Sequence, residues 1–189
     1  VPAFTSTPFG STFKQTAPYV EVKVNAMEVG NELRRKGPQA WPDAAEAYLP
    51  VASVSRKDKR RGHRQLAELG LPLGVPEAEA LTRVITHLED DIMMIPVADR
   101  QGIWKTGRGT PQEIAHYAAS LLTAAGMAPE VRWVHTTREG HFDETYVAAG
   151  PFHAPVLRVK LDGDDRYIFP LEKDVPQGFI PPAYSERMA

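Results

Sequence analysis

The alternation of apolar and polar positions divides the 189 residues into three stretches. The first, residues 1 to 40, is rich in Thr, Ser, Pro and Gly, with one alternating run, YVEVKVNA (19 to 26). A period of two places successive side chains on opposite faces, so this run predicts a strand, and the stretch reads as a linker or strand segment from a longer chain. The second, from Trp41 to about residue 128, carries helical spacing, and the third, 130 to 189, carries strand spacing and loops.

Three helices are predicted in the middle. WPDAAEAYLPVASV opens on Pro and Asp, which suit a first turn, and Pro50 limits its length. VPEAEALTRVITHLEDDIMMIP has Pro76 at the expected first helical position, acids behind it, an apolar stripe of Leu81, Val84, Ile85, Leu88 and Ile92, and Pro96 as the expected stop. In GRGTPQEIAHYAASLLTAAG (107 to 126), Thr110 is a natural N-cap, Pro111 the favoured first residue, and Glu113 completes a T-x-x-E capping box. Ile114, Ala115, Ala118, Leu121, Leu122 and Ala125 line one face and Gly126 is the stop. The small alanines admit a close-lying sheet, so this helix is expected at the centre.

Strands follow. EVRWVHTT (130 to 137) sets Val131, Trp133 and His135 on one side and Arg132 and Val134 on the other. HAPVLRVKLDGDDRYIFPL reads as a hairpin: Val156 to Leu161, a turn at Asp162-Gly163-Asp164, then Arg166 to Phe169. Helices first and antiparallel strands afterwards describe an α+β domain, with N-terminal helices packed on the sheet.

Composition narrows the function classes. Apolar residues at 42% and charged residues at 24% are those of a globular protein. A net charge of -2 argues against nucleic acid as a partner. There is no cysteine, which excludes disulfides, thiolate metal sites and thiol catalysis together. No apolar run is long enough for a membrane span. The opening VPAFTSTPFGSTFKQTAP, without an initiator Met, reads as part of an excised or processed piece with flanking domains elsewhere.

In order and spacing, the motifs from Trp41 onward resemble a transglutaminase-like domain of the papain-like cysteine-protease fold. That family runs Gly-x-Cys-x-Glu-x-Ala, a helix ending Ala-Ala-Gly, a strand, Phe-Asn-His with a hairpin, and Asp-Pro. Here Gly109-Thr110-Pro111-Gln112-Glu113-Ile114-Ala115 matches the first motif except at the cysteine, and Ala124-Ala125-Gly126 follows. Phe152-His153-Ala154 puts Ala154 at the family histidine, and Phe169-Pro170 puts Phe169 at the aspartate. The tail VPQGFIPPAYSERMA resembles the Gly-x-x-Pro segment of exported members.

In active relatives the helix dipole favours the thiolate, histidine is the base and aspartate orients it. Pro111, Ala154 and Phe169 can do none of this. The resemblance therefore implies a catalytically degenerate, bacterial, periplasmic or extracellular domain. Its expected role is to bind protein, peptide or glycan, or to act as a scaffold, within a larger protein. The alternative is a peptidase- or amidase-like hydrolase or transferase using a non-cysteine nucleophile or a metal.

The remaining chemistry is sparse. Thr110 as nucleophile and Glu113 as base compete with their capping roles, which explain both. No histidine pair has HExxH or H-x3-H spacing; His135, His141 and His153 flank one connection, and the expectation is no metal and no cofactor. His153 is the leading candidate for a polar group retained in the cleft, with His135 beside it, and Trp104 is its expected aromatic wall. RKDKRRGHR (56 to 64), six basic residues against one acid, reads as a solvated loop between two helices, the alternative being a surface for an anionic polymer, a lipid headgroup or an acidic partner. EDD (89 to 91) reads as solvent-facing.

Overall fold

The computed structural model describes residues 26–29, 32–36, 53–72, 74–136, 154–176 and 178–185. The run 19 to 25, residues 41 to 52, His141 and His153 fall outside the described residues. Two short strands, β1 (Ala26–Val29) and β2 (Glu32–Lys36), pair antiparallel with a register shift between Met27 and Glu28.

The basic stretch is a helix, not a loop. Helix α1 (Arg56–Glu68) starts on Ser55, whose hydroxyl accepts from the Asp58 N–H at 3.2 Å. It ends in a Schellman motif: Leu71 N–H donates to Leu66 O at 2.8 Å and Gly70 N–H to Ala67 O at 3.1 Å, with Gly70 at φ 76°. Arg, Lys, Gln, Leu and Glu are all good helix formers, so local propensity agrees with the caps. The buried side of α1 is narrow, Gly62 and Leu66.

Helix α2 (Glu77–Asp91) buries Leu81, Val84 and Leu88, as its stripe predicts; Ile92, just past its end, is buried and Ile85 is half-buried. Pro76 is its N-cap rather than its first residue, and the helix stops at Asp91, well before Pro96. Three acids in succession at a helix C-terminus oppose the helix dipole. Ile92 turns extended, and β3 (Met93–Met94) pairs parallel with β4 (Arg108–Gly109). Between those strands lies the short helix α3 (Ile103–Thr106), closed by Gly107 at φ 64°.

Helix α4 (Pro111–Ala124) is central: Ala115, Ala118, Ala119, Leu121 and Leu122 are fully buried. It too ends in a Schellman motif, with Gly126 at φ 97° and Met127 N–H donating to Leu122 O at 3.0 Å. Gly62 of α1 lies directly against it. A Cβ at Gly62 would come 2.7 Å from Ser120 O and 2.8 Å from Ala124 Cβ, so only glycine permits this approach.

The sheet has the order β5 (Glu130–Val134), β6 (Ala154–Leu161), β7 (Asp164–Ile168), all antiparallel. The hairpin loop is Asp162–Gly163 alone, at φ 54° and 90°, the positive pair of a tight primed turn; Asp164 already pairs with Leu161. Alternation sorts the two faces. Val131, Leu157 and Val159 join α1, α2 and α4 in the main core. Val134, Ala154, Val156, Tyr167 and Phe169 form a second apolar cluster with Tyr184 of the short helix α5 (Pro182–Ser185). The class is α+β.

Candidate functional site

The amino end of α4 is built from Gly107, β4 and Thr110. Thr110 Oγ1 accepts from the Glu113 N–H at 3.3 Å, and Glu113 Oε2 accepts from the Thr110 N–H at 2.9 Å. The capping box is therefore complete in both directions, and each polar side chain is turned onto backbone. Pro111 follows, half-buried, with neither nucleophile nor N–H. Gly109 is packed tightly: a Cβ there would lie 3.0 Å from Ile103 Cδ1 and 3.1 Å from Glu113 Cβ.

Ala154 and Phe169 lie together in the second apolar cluster. Phe169 sits 4.7 Å from the Tyr184 ring, tilted 59°, and Tyr184 donates its hydroxyl to Glu172 Oε1 at 3.1 Å. The depression beside Phe169 and Glu89 holds about 20 Å³, room for a water molecule. His135 is buried at the end of β5 beside Thr136. Among the described residues no group of three or more His, Asp and Glu is arranged to hold a metal ion.

Trp104 leads to a constellation that sequence reasoning missed. Its ring stands edge-on to Tyr117 at 4.6 Å. The Tyr117 hydroxyl lies 2.8 Å from His87 Nε2, and His87 Nδ1 lies 2.7 Å from Asp91 Oδ2. Burial pushes the Tyr117 phenol well above its ordinary range, and the charges of Asp91 and Glu68 add to this. Tyr117 thus stays protonated, and its hydroxyl, the His87 imidazole and the Asp91 carboxylate are linked in one chain of contacts.

Carboxylate, imidazole and hydroxyl follow the order of a catalytic relay. The hydroxyl belongs to a side chain only 2% exposed, however, so it is not presented to a substrate. The chain of bonds joins α2 to α4. The i,i+4 pair His87 and Asp91 was readable on one helix face; its partner thirty residues on was not.

The larger concavity lies at the other end of α4. A cleft of about 210 Å³ is lined by Leu66, Leu71, Val75, Ala80 and Ala124, with His63 in its wall. His63 Nδ1 is buried there without a hydrogen-bond partner among the described residues. Neither concavity is lined by Trp104, Thr110 or Pro111.

No helix among the described residues is long and apolar enough to cross a membrane. No protein-family model and no curated protein matches the chain. Among solved structures, a provisionally assigned protease from Parabacteroides distasonis ATCC 8503 is similar at 18% identity, with a TM-score of 0.50 over 80% of this chain. This chain spans 31% of that protein's length. The likeness is one of fold, and it is compatible with a papain-like core.

Proposed function

We propose that the chain is a catalytically degenerate transglutaminase-like module of an exported protein. It works by binding a protein, peptide or glycan, or as a scaffold. The observation that carries this reading is the closed capping box. The helix end that would carry a nucleophile offers Pro111, and its two polar neighbours, Thr110 and Glu113, are satisfied by each other's backbone. Support comes also from Ala154 and Phe169, whose side chains contribute apolar packing around Tyr184. Neither has a group that exchanges a proton.

The test is turnover. The purified chain is incubated with a panel of peptide amides and esters, with and without an amine acceptor and with and without a chelator. Rates equal to buffer are expected throughout. Hydrolysis or transfer that disappears on His135→Ala, or on adding chelator, would replace this reading with a hydrolase or transferase of different chemistry.

A further inference from the structure

The fold of residues 56 to 64 gives the basic run a geometry that a loop would not have. On α1, Arg56, Arg60 and Arg64 recur every fourth residue, and Lys57 and Arg61 form a parallel row beside them. At 100° per residue these five cations occupy an arc of about 140°, opposite the Gly62 and Leu66 side that packs on α4. Arg56, Lys57, Arg60 and Arg64 are exposed and make no ion pair among the described residues. Arg61 is 3.6 Å from Asp58, the acid that the first turn supplies.

This charge is set against the rest of the molecule. Helix α1 carries six Lys and Arg and two acids, a net +4, in a chain of net -2, so the remainder carries -6. An acidic partner is attracted at α1 and repelled elsewhere. Three partner chemistries present such charge, and the helix discriminates among them. Binding of a single nucleic-acid strand combines a basic groove with aromatic side chains on which the bases stack, and α1 carries no Phe, Tyr or Trp. A helix lying on a bilayer buries its apolar face in lipid, and that of α1 is already buried in the protein.

An extended peptide fits. Four residues of helix rise about 6 Å, so the arginine row has a charge every ~6 Å along its axis. Alternate side chains of an extended chain lie on one face about 6.7 Å apart. Carboxylates at alternate positions therefore meet successive arginines, each able to form the paired N–H···O bonds of a guanidinium with a carboxylate.

We propose that α1 is a docking site for an extended acidic peptide segment with carboxylates at alternate positions, held by Arg56, Arg60 and Arg64. The site stands independently of the amino end of α4.

Fluorescence polarisation of the full chain with a labelled peptide of about ten residues, Glu alternating with Ser, tests this. Saturable binding at low salt is expected, weakening steeply as salt is added. Arg60→Glu with Arg64→Glu should weaken it about tenfold or more. Arg60→Lys with Arg64→Lys, which keeps the charge and removes the fork, should cause a smaller loss. A peptide of the same composition with its glutamates in one block should bind more weakly. The proposal is overturned if the alternating peptide does not saturate, if the Glu variants bind it unchanged while retaining the wild-type circular dichroism, or if the blocked peptide binds equally well. It is also overturned if a single-stranded oligonucleotide or a vesicle containing phosphatidylserine binds more tightly than the alternating peptide.

Discussion

His87 Nε2 lies 2.8 Å from the Tyr117 hydroxyl, and this one contact joins the carboxyl-terminal half of α2 to the middle of α4. Both residues are buried, so neither polar atom has water to fall back on. Tyr117→Phe keeps the ring against Trp104 and deletes the hydroxyl, leaving Nε2 unsatisfied. A buried unmet group of this kind costs about 1–3 kcal/mol. Urea unfolding should show that loss with an unchanged m-value; stability equal to wild type would mean that the bond does not hold the two helices.

Gly62→Ala should destabilise the protein although alanine is the better helix former. Intrinsic propensity favours alanine by about 1 kcal/mol. Against this, the new Cβ would meet Ser120 O at 2.7 Å, a backbone atom that cannot move aside alone. Overpacking of this sort costs about 1–3 kcal/mol, so the balance is a lower Tm. A raised Tm on calorimetry would show that α1 and α4 separate easily.

The acid limb of the stability curve should depend on Asp58. Burial works to raise its pKa, but hydrogen bonds from Ser55 and His116, and the charges of His116 and Arg61, outweigh it and hold the carboxyl below its ordinary 3.8. A carboxyl with a lower pKa folded than unfolded stabilises above the unfolded value, and that contribution disappears as pH falls through the folded one. Wild type should therefore lose stability below about pH 4, and Asp58→Asn should lose less there while being weaker at neutral pH. Parallel acid limbs in denaturation at several pH values would contradict this.

His63→Leu should raise stability. The substitution removes an unsatisfied ring nitrogen from the wall of the apolar cleft and adds apolar surface to it. Relief of such a group amounts to about 1–3 kcal/mol, which thermal unfolding would read as a higher Tm. A lower Tm would show that Nδ1 has a partner.

Legibility followed local chemistry. The central helix was readable because Thr110, Pro111, Glu113 and Gly126 are all start or stop residues, and the hairpin because Asp162-Gly163 suits a tight primed turn. The class followed from their order. Helix α1 is not legible in the sequence, because two buried residues make too thin a stripe to show a period and the cations around them look like solvated chain. Its caps were nevertheless present, Ser55 three residues before Asp58 and Gly70 before Leu71. The early end of α2 depends on Gly107 and β4: Met93 N–H donates to Gly107 O and Ile95 N–H to Gly109 O, a pairing with residues far along the chain. Trp104, expected at a cleft wall, packs on Tyr117, and that contact is set by how α3 lies on α4.

Thr110 serves as the helix cap through its bond from the Glu113 N–H, and a catalytic role would demand more of it than that bond. Thr110→Ala should be measured twice, by urea unfolding and by turnover on peptide amides and esters. Loss of a threonine cap costs about 1 kcal/mol. The predicted result is that loss of stability, with turnover at buffer level in wild type and variant alike. Turnover in wild type that vanishes in the variant while stability stays the same would contradict the account.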